Sequence, residues 1–346
     1  MNIARNCLMG LVLAAAGLFG GLDRAKASDP ALIEAAKKEG QVIWYTSFVE
    51  NQLARPLAAA FEKKYPGIKV QIVPGTATDL LLKLLGEARA GGVRGDVHHG
   101  GSSLWPLLKA DAIEKYIPDA AKDYPDSLKD KDGLWTADAL YFLVTAVNTD
   151  MVPPGDEPKT YEDLLDPKWK GKIAWTNQMT QGGAAGFIGT ILNAMGEEKG
   201  MAYLRKLADQ KLINVPSNQR VVLDQVIAGE YPIAIATFNN HSVLSAAKGA
   251  PIKWLKLEPV TNTLDTVMLL KGPNRNAGKL FIDYSLSEEG QKVVREAGYI
   301  PANPKVAAKV PELKPQEGKF KVQVLTPNMV EEGLPKWVAV YNELFK

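Results

Sequence analysis

Residues 139–148, ALYFLVTAVN, constrain this chain more than any other stretch. The run mixes β-branched, aromatic and aliphatic side chains with no helical stripe, which predicts a strand covered on both faces. A Pro/Gly-rich turn, MVPPGDEP at 151–158, follows it, and a fresh helix start stands at Thr160. The chain therefore closes one folding unit and opens another at this point. We read 139–148 as a strand that crosses between two lobes. The best candidate for the return is IKWLKLEPV at 252–260, followed by DTVMLLKG at 265–272. Two crossings make a hinge, with 28–140 and 261–346 in one lobe and 141–260 in the other.

A length of 346 residues fits this division, since a single domain is usually about 100 to 200 residues long. The first 27 residues read differently from the rest. Arg5 precedes an apolar core from Leu8 to Phe19, and Ala25-Lys26-Ala27 precedes Ser28, the pattern of a cleavable secretory signal. That core is too short for a membrane span, which needs about 20 apolar residues. The expected mature protein is exported to the periplasm and begins at Ser28. Cys7, the single cysteine, would be lost with the signal, which excludes disulfides, a cysteine nucleophile and thiolate metal ligands. Loss of Arg5, Arg24, Lys26 and Asp23 takes 41 basic and 39 acidic residues to 38 of each. A balanced chain without a basic stripe speaks against a nucleic-acid partner.

Taken in order, QVIWYTS at 41–47 reads as a first strand, IKVQIVPGT at 68–76 as a second and GDVHHGGSS at 95–103 as a third that opens into a glycine-rich turn. A helix follows each, with Pro56 kinking or delaying the first, Thr78 capping the second, and Ser102 or Ser103 capping the third. Repeated strand, turn and helix predict an α/β fold with a parallel open sheet, which binds ligands beyond the carboxyl ends of its strands. Thr46, Ser47, Thr76, Ser102 and Ser103 lie at those ends. In the second lobe KIAWTN ends a strand near Trp175, and the glycine-loosened helix start near Thr180 offers free N–H groups to an anion. The strand YPIAIATF at 231–238 runs into Phe238, Asn239 and Asn240. Helices at about 276–286, 288–297 and 328–345 are expected to cover the first lobe.

Three blocks carry a family resemblance: TYEDLLDPKWKGKIA, AGEYPIAIATFNN and EEGQKVVREAGYIPANP. Together they resemble the periplasmic substrate-binding proteins of bacterial ABC importers, in the branch that includes ferric-iron-binding proteins. The resemblance implies a type II periplasmic-binding fold of two lobes, a ligand cleft between them, and delivery to an ABC permease in the inner membrane. In the ferric members, adjacent tyrosines bind the metal at the turn after the second-lobe strand. Here that turn reads Phe238, Asn239, Asn240, His241. Neutral amides suit a polar organic ligand better than a hard trivalent cation.

His98, His99 and His241 are the only histidines. Adjacent histidines on a strand face opposite ways, so at most one of the pair meets a ligand, and no metal set is expected. Ser and Thr at turns are also ordinary helix caps, and one of Trp44 and Tyr45 must be core. Asp265 and Tyr299 follow the return crossing and complete the candidates. No G-x-S-x-G elbow is present, and a binding protein is expected rather than an enzyme. The reading is a monomer without cofactor that captures a small polar, anionic organic solute. A ferric-iron-binding protein and an exported enzyme on the same scaffold are the alternatives.

Overall fold

The computed structural model describes residues 29–100 and 103–346. The segment read as a signal, with Cys7 and Ser28, and the candidate Ser102 lie outside the described residues. The first lobe begins with α1 (Pro30–Glu39), where the Asp29 carboxylate accepts from the Ala31 N–H at 2.9 Å. β1 (Gln41–Thr46) follows, and a π-helical turn at Glu50–Ala54 leads into α2 (Arg55–Lys64). Pro56 sits in the first turn of α2, where its missing N–H leaves no intrahelical bond unmade, so the helix starts late instead of kinking. Then come β2 (Lys69–Pro74), α3 (Ala77–Arg89), β3 (Val97–His99), α4 (Leu104–Lys109) and β4 (Ile113–Glu114). Thr76, not Thr78, caps α3, accepting from the Asp79 N–H at 3.2 Å. β1 pairs in parallel with both β2 and β3.

β5 (Thr136–Asn148) is the long strand anticipated at 139–148, and each of its residues is buried except Tyr141, which is half-buried. The second lobe is built from β6 (Ile173–Thr176), α5 (Ala184–Met195), α6 (Glu197–Ala208), β7 (Ile213–Val215), α7 (Gln219–Ile227), β8 (Ile233–Phe238), α8 (Asn239–Ala246) and β9 (Ile252–Leu255). The return is made by β10 (Val260–Leu270), antiparallel to β5 from Thr261 opposite Leu143 to Val267 opposite Thr136. Of the return expected at 252–260 followed by 265–272, residues 252–255 form β9 and residues 265–270 lie in β10. β9 stays in the second lobe, paired with the carboxyl end of β5. The chain then forms α9 (Arg275–Leu286), α10 (Glu288–Glu296), β11 (Ile300–Pro301), α11 (Pro315–Gly318), β12 (Val322–Leu325) and α12 (Pro327–Leu344).

One sheet runs through both lobes in the order β2-β1-β3-β10-β5-β8-β6-β7. β5 and β10 are its shared middle. On one side Trp44, Phe61, Phe142, Phe281 and Tyr284 belong to the first core. Trp175, Phe187, Ile188 and Ile191 belong to the second, while Val222, Leu223, Val226 and Ile252 form a smaller cluster. α9 and α10 pack in the first core as expected, but α12 does not. It places Val330, Trp337, Val340 and Tyr341 in the second core, against α5. A Cβ at Gly189 of α5 would come within 2.5 Å of the Trp337 ring, so the absence of a side chain there permits the approach.

Candidate functional site

Between the lobes lies a cleft of about 300 Å³. Ser47, Ala77 and Gly100 come from first-lobe turns, and Thr180, Gln181, Gly182, Gln219 and Phe238 from the second lobe. Tyr141 of β5 and Thr263 and Asp265 of β10 come from the shared strands, with Val330 and Leu334 of α12 alongside. The register explains the shared-strand set. Tyr141 lies opposite Thr263, and Ala139 opposite Asp265. Directly paired residues share a face and side chains alternate, so Tyr141, Thr263 and Asp265 all point to one side. The register shifts between Asp265 and Thr266, leaving Asp138 as the extra residue of a bulge. Such bulges re-aim side chains beside sites.

Asp265 is 8% exposed, and its Oδ1 has no hydrogen-bond partner. Burial pushes its carboxyl up to about 6; the His99 imidazole works the other way and the Asp138 carboxylate adds to the rise. The Tyr141 hydroxyl is raised well above its ordinary value by burial, then by Asp265 and Tyr299. The Tyr299 hydroxyl, itself raised chiefly by burial, accepts from the Val49 N–H at 3.4 Å. The Tyr141 and Phe238 rings stand 5.3 Å apart, and Phe238 meets the His241 ring at 5.5 Å. On the second-lobe wall, α5 opens at Gly183 with no side-chain cap. At this helix start the Gly183 and Gly186 N–H groups donate to the Thr180 carbonyl at 3.0 and 3.2 Å, and the positive end of the helix dipole lies behind Gly182 of the cleft wall.

Of the residues proposed from sequence, Ser47, Thr180, Phe238 and Asp265 line the cleft. The other described candidates are not among the lining residues. Thr46 is buried, and its Oγ1 accepts from the Phe48 N–H at 3.1 Å. Thr76 caps α3, and Ser103 is buried with an unpartnered hydroxyl. Trp175 is fully buried; its indole N–H donates to Asn214 Oδ1 at 2.8 Å, and its rings pack on Tyr341 and Phe345. It is core, not ligand cover. Asn239 is fully buried too, and its Nδ2 donates to the Leu313 carbonyl at 3.2 Å. Asn240 is half-buried at the start of α8.

His98 and His99 are both fully buried. Burial, then the neighbouring His99, drives His98 down to about 3. His99 is held between Trp44 and Asp138. His241 is lowered to about 4 by burial and then by Arg220. Among the described residues, no three or more His, Cys, Asp and Glu side chains gather as a metal set. Sequence reasoning missed Tyr141, Thr263 and Gln219. The available signal for Tyr141 was its hydroxyl on the alternating face Ala139, Tyr141, Leu143.

A two-lobe α/β architecture with the cleft floored by shared strands is that of a binding protein, and comparison with known proteins agrees. Residues 56–320 match the model of the bacterial extracellular solute-binding protein family, and the chain belongs to that family. Iron uptake protein A1 of Synechocystis is 23% identical over 301 residues, covering 80% of each chain. The structure of iron-bound HitA from Pseudomonas aeruginosa superposes with a TM-score of 0.71 at 23% identity, over 88% of this chain and 99% of that one. AfuA from Actinobacillus pleuropneumoniae, solved with exogenous fructose-6-phosphate bound, gives a TM-score of 0.67 at 24% identity, over 88% and 99%. The shared fold is the type II periplasmic-binding fold.

Proposed function

We propose that this protein is the periplasmic solute-capturing component of an ABC importer, that it closes its lobes over a small polar anionic organic solute, and that it hands the solute to an inner-membrane permease. It acts as a monomer and performs no chemistry on its cargo. The observation that carries the reading is the cleft itself, with neutral polar residues Ser47, Thr180, Gln181 and Gln219 around it and the uncapped start of α5 on one wall. A helix start without a side-chain cap, with the positive end of its dipole, favours a carboxylate, phosphonate or phosphate near it. A fructose-6-phosphate complex in a protein of the same fold is in keeping with such cargo.

Phe238 and Tyr141 offer apolar cover for the solute's carbon skeleton. A thermal-shift screen that pairs each anionic solute with its neutral alcohol or amide tests the reading. A ligand at 100 times its dissociation constant stabilises the fold by about 2.7 kcal/mol. Stabilisation by neutral compounds alone would remove the helix start as anchor.

A ferric reading has one specific observation in its favour: Tyr141 and Asp265 of the cleft lining and the nearby Tyr299 are close enough to influence one another electrostatically. Against it, the second-lobe turn holds Phe238, buried Asn239 and half-buried Asn240 where phenolates would be needed.

A further inference from the structure

We propose that the solute carries an ammonium group as well as its anionic group, and that Asp265, with Tyr141, Tyr299 and Phe238, forms the ammonium subsite. The proposal rests on the anionic reading for the solute's other end and names a second recognition element. Its basis is the Asp265 carboxyl, nine-tenths buried, lining the cleft, with Oδ1 unpartnered. Buried carboxylate oxygens are normally paired or hydrogen-bonded, and an orphan oxygen at a ligand cleft calls for a partner brought by the ligand.

The surroundings select what that partner is. Among the described residues, the groups that act on the Asp265 carboxylate are His99, Asp138 and the Thr266 backbone N–H, which leaves Oδ1 unpartnered, with no lysine or arginine. His99 is already committed to Trp44 and Asp138. A ligand hydroxyl would satisfy Oδ1 but leave the charge uncompensated, and closing the lobes would bury that charge further. An ammonium supplies both hydrogen and charge. Tyr141 meets Phe238 at 5.3 Å, and the Tyr141 and Tyr299 hydroxyls both sense the Asp265 charge. Aromatic faces beside a carboxylate are suited to an organic cation, whose charge the ring quadrupole attracts. Ala139, directly opposite Asp265 on β5, adds only a methyl group to that face.

The test is a calorimetric panel on the full mature chain. Primary and quaternary amines joined by short alkyl spacers to a phosphate, phosphonate or carboxylate are each compared with the matched compound lacking nitrogen. Aminoethyl phosphate against ethyl phosphate is the simplest pair. We expect an amine-bearing probe to bind about ten- to a hundredfold more tightly than its match, the range of a charge-assisted hydrogen bond. Asp265→Asn should abolish that preference, bringing each amine-bearing probe and its nitrogen-free match to about equal affinity, and Asp265→Glu should retain part of it. An unliganded melting curve for each variant establishes that it folds. The proposal is overturned if no amine-bearing probe exceeds its match, or if the preference survives in Asp265→Asn. Amines that bind without any anionic group would uphold the subsite and overturn the anionic reading instead.

Discussion

The indole N–H of Trp44 donates to Nδ1 of His99 at 2.5 Å, and this one contact fixes the proton of the imidazole. Indole nitrogen is a donor only, so Nδ1 must accept and the proton must sit on Nε2, facing Asp138. Asp138 also accepts from Gln291 Nε2 at 2.7 Å, and Gln291 Oε1 in turn accepts from the Asn303 N–H at 3.1 Å. The network ties β1, β3, β5 and α10 together beneath the cleft floor.

Replacing His99 by phenylalanine should therefore cost more than its volume suggests, because Asp138 would lose a donor inside the core. We expect a loss of about 3 kcal/mol, the upper end of the range for a buried acceptor left without its donor, because the acceptor here is a carboxylate. Urea denaturation of wild type and variant measures it. A loss below about 0.5 kcal/mol, the usual scale of a surface substitution, would contradict the network.

The fold could be read from sequence where burial and periodicity agreed. β1, β6 and β8 are short buried runs, and 139–148 is a continuous apolar one, so each announced itself. β10 was harder to find. Only its second half, from Asp265, reads as a strand; Thr261, Asn262 and Thr263 look like a loop, yet all are buried, because a strand shared by two lobes carries polar residues to the cleft floor. Trp175 misled for the converse reason. It stands near a strand end, where ligands bind, but α12 folds back over that end from far along the chain. No local pattern signals such a long-range packing choice. Ser47, Thr180 and Phe238 could be picked out because turn position alone brings them to the cleft.

Asp265 makes stability depend on pH in the absence of solute. Its folded-state value of about 6 exceeds the ordinary 3.8, so between those values the folded state binds more protons than the unfolded state. Stability must then fall as pH rises from about 4 through 6. Asp265→Asn should flatten this slope and stabilise the empty protein at pH 7 by about 2 to 3 kcal/mol. The groups that face Asp265 are Tyr141, Tyr299, His99 and Asp138, and the tyrosines do not titrate in this window. Melting temperatures at pH 4.5 and 7 for both proteins check the sign; an unaltered slope in the variant would assign it elsewhere.

Trp337 locates the last helix energetically. It is 3% exposed in the second core, so Trp337→Ala should cost about 3 to 5 kcal/mol. Gly189→Ala should also destabilise, since its new Cβ would meet the indole ring at 2.5 Å. Hydrogen exchange in both variants should rise in α5 and β6 before it rises in β1 and β2. The reverse order would mean that α12 supports the first lobe.

Iron should not be retained. Asn239 and Asn240 cannot supply the charged oxygens that a ferric ion requires, and the former is buried against Leu313. Protein dialysed against ferric citrate should be colourless. A stoichiometric visible charge-transfer band, lost in Tyr141→Phe or Tyr299→Phe, would instead make those phenolates iron ligands.

Closure of the cleft follows from how few chain segments join the lobes. β5 and β10 run through both, and pairing along them is interrupted by bulges beside Asp265 and between Val144 and Ala146, so bending at this pair can move one lobe as a body. Ser47 on one side and Thr180 on the other remain exposed, which leaves hydrogen-bonding groups on both walls facing water. A solute that bridges them exchanges that water for contacts to both lobes, and the closed form gains what the open form cannot. The radius of gyration from small-angle scattering should therefore fall when the tightest-binding compound of the calorimetric panel is added at saturation. Phe238→Ala should weaken that compound's binding about tenfold while leaving the empty protein's radius unchanged, because its half-buried ring reaches Tyr141 across the cleft edge. An unchanged radius at saturation, with binding verified by calorimetry, would mean that the shared strands act as a rigid floor and not as a hinge.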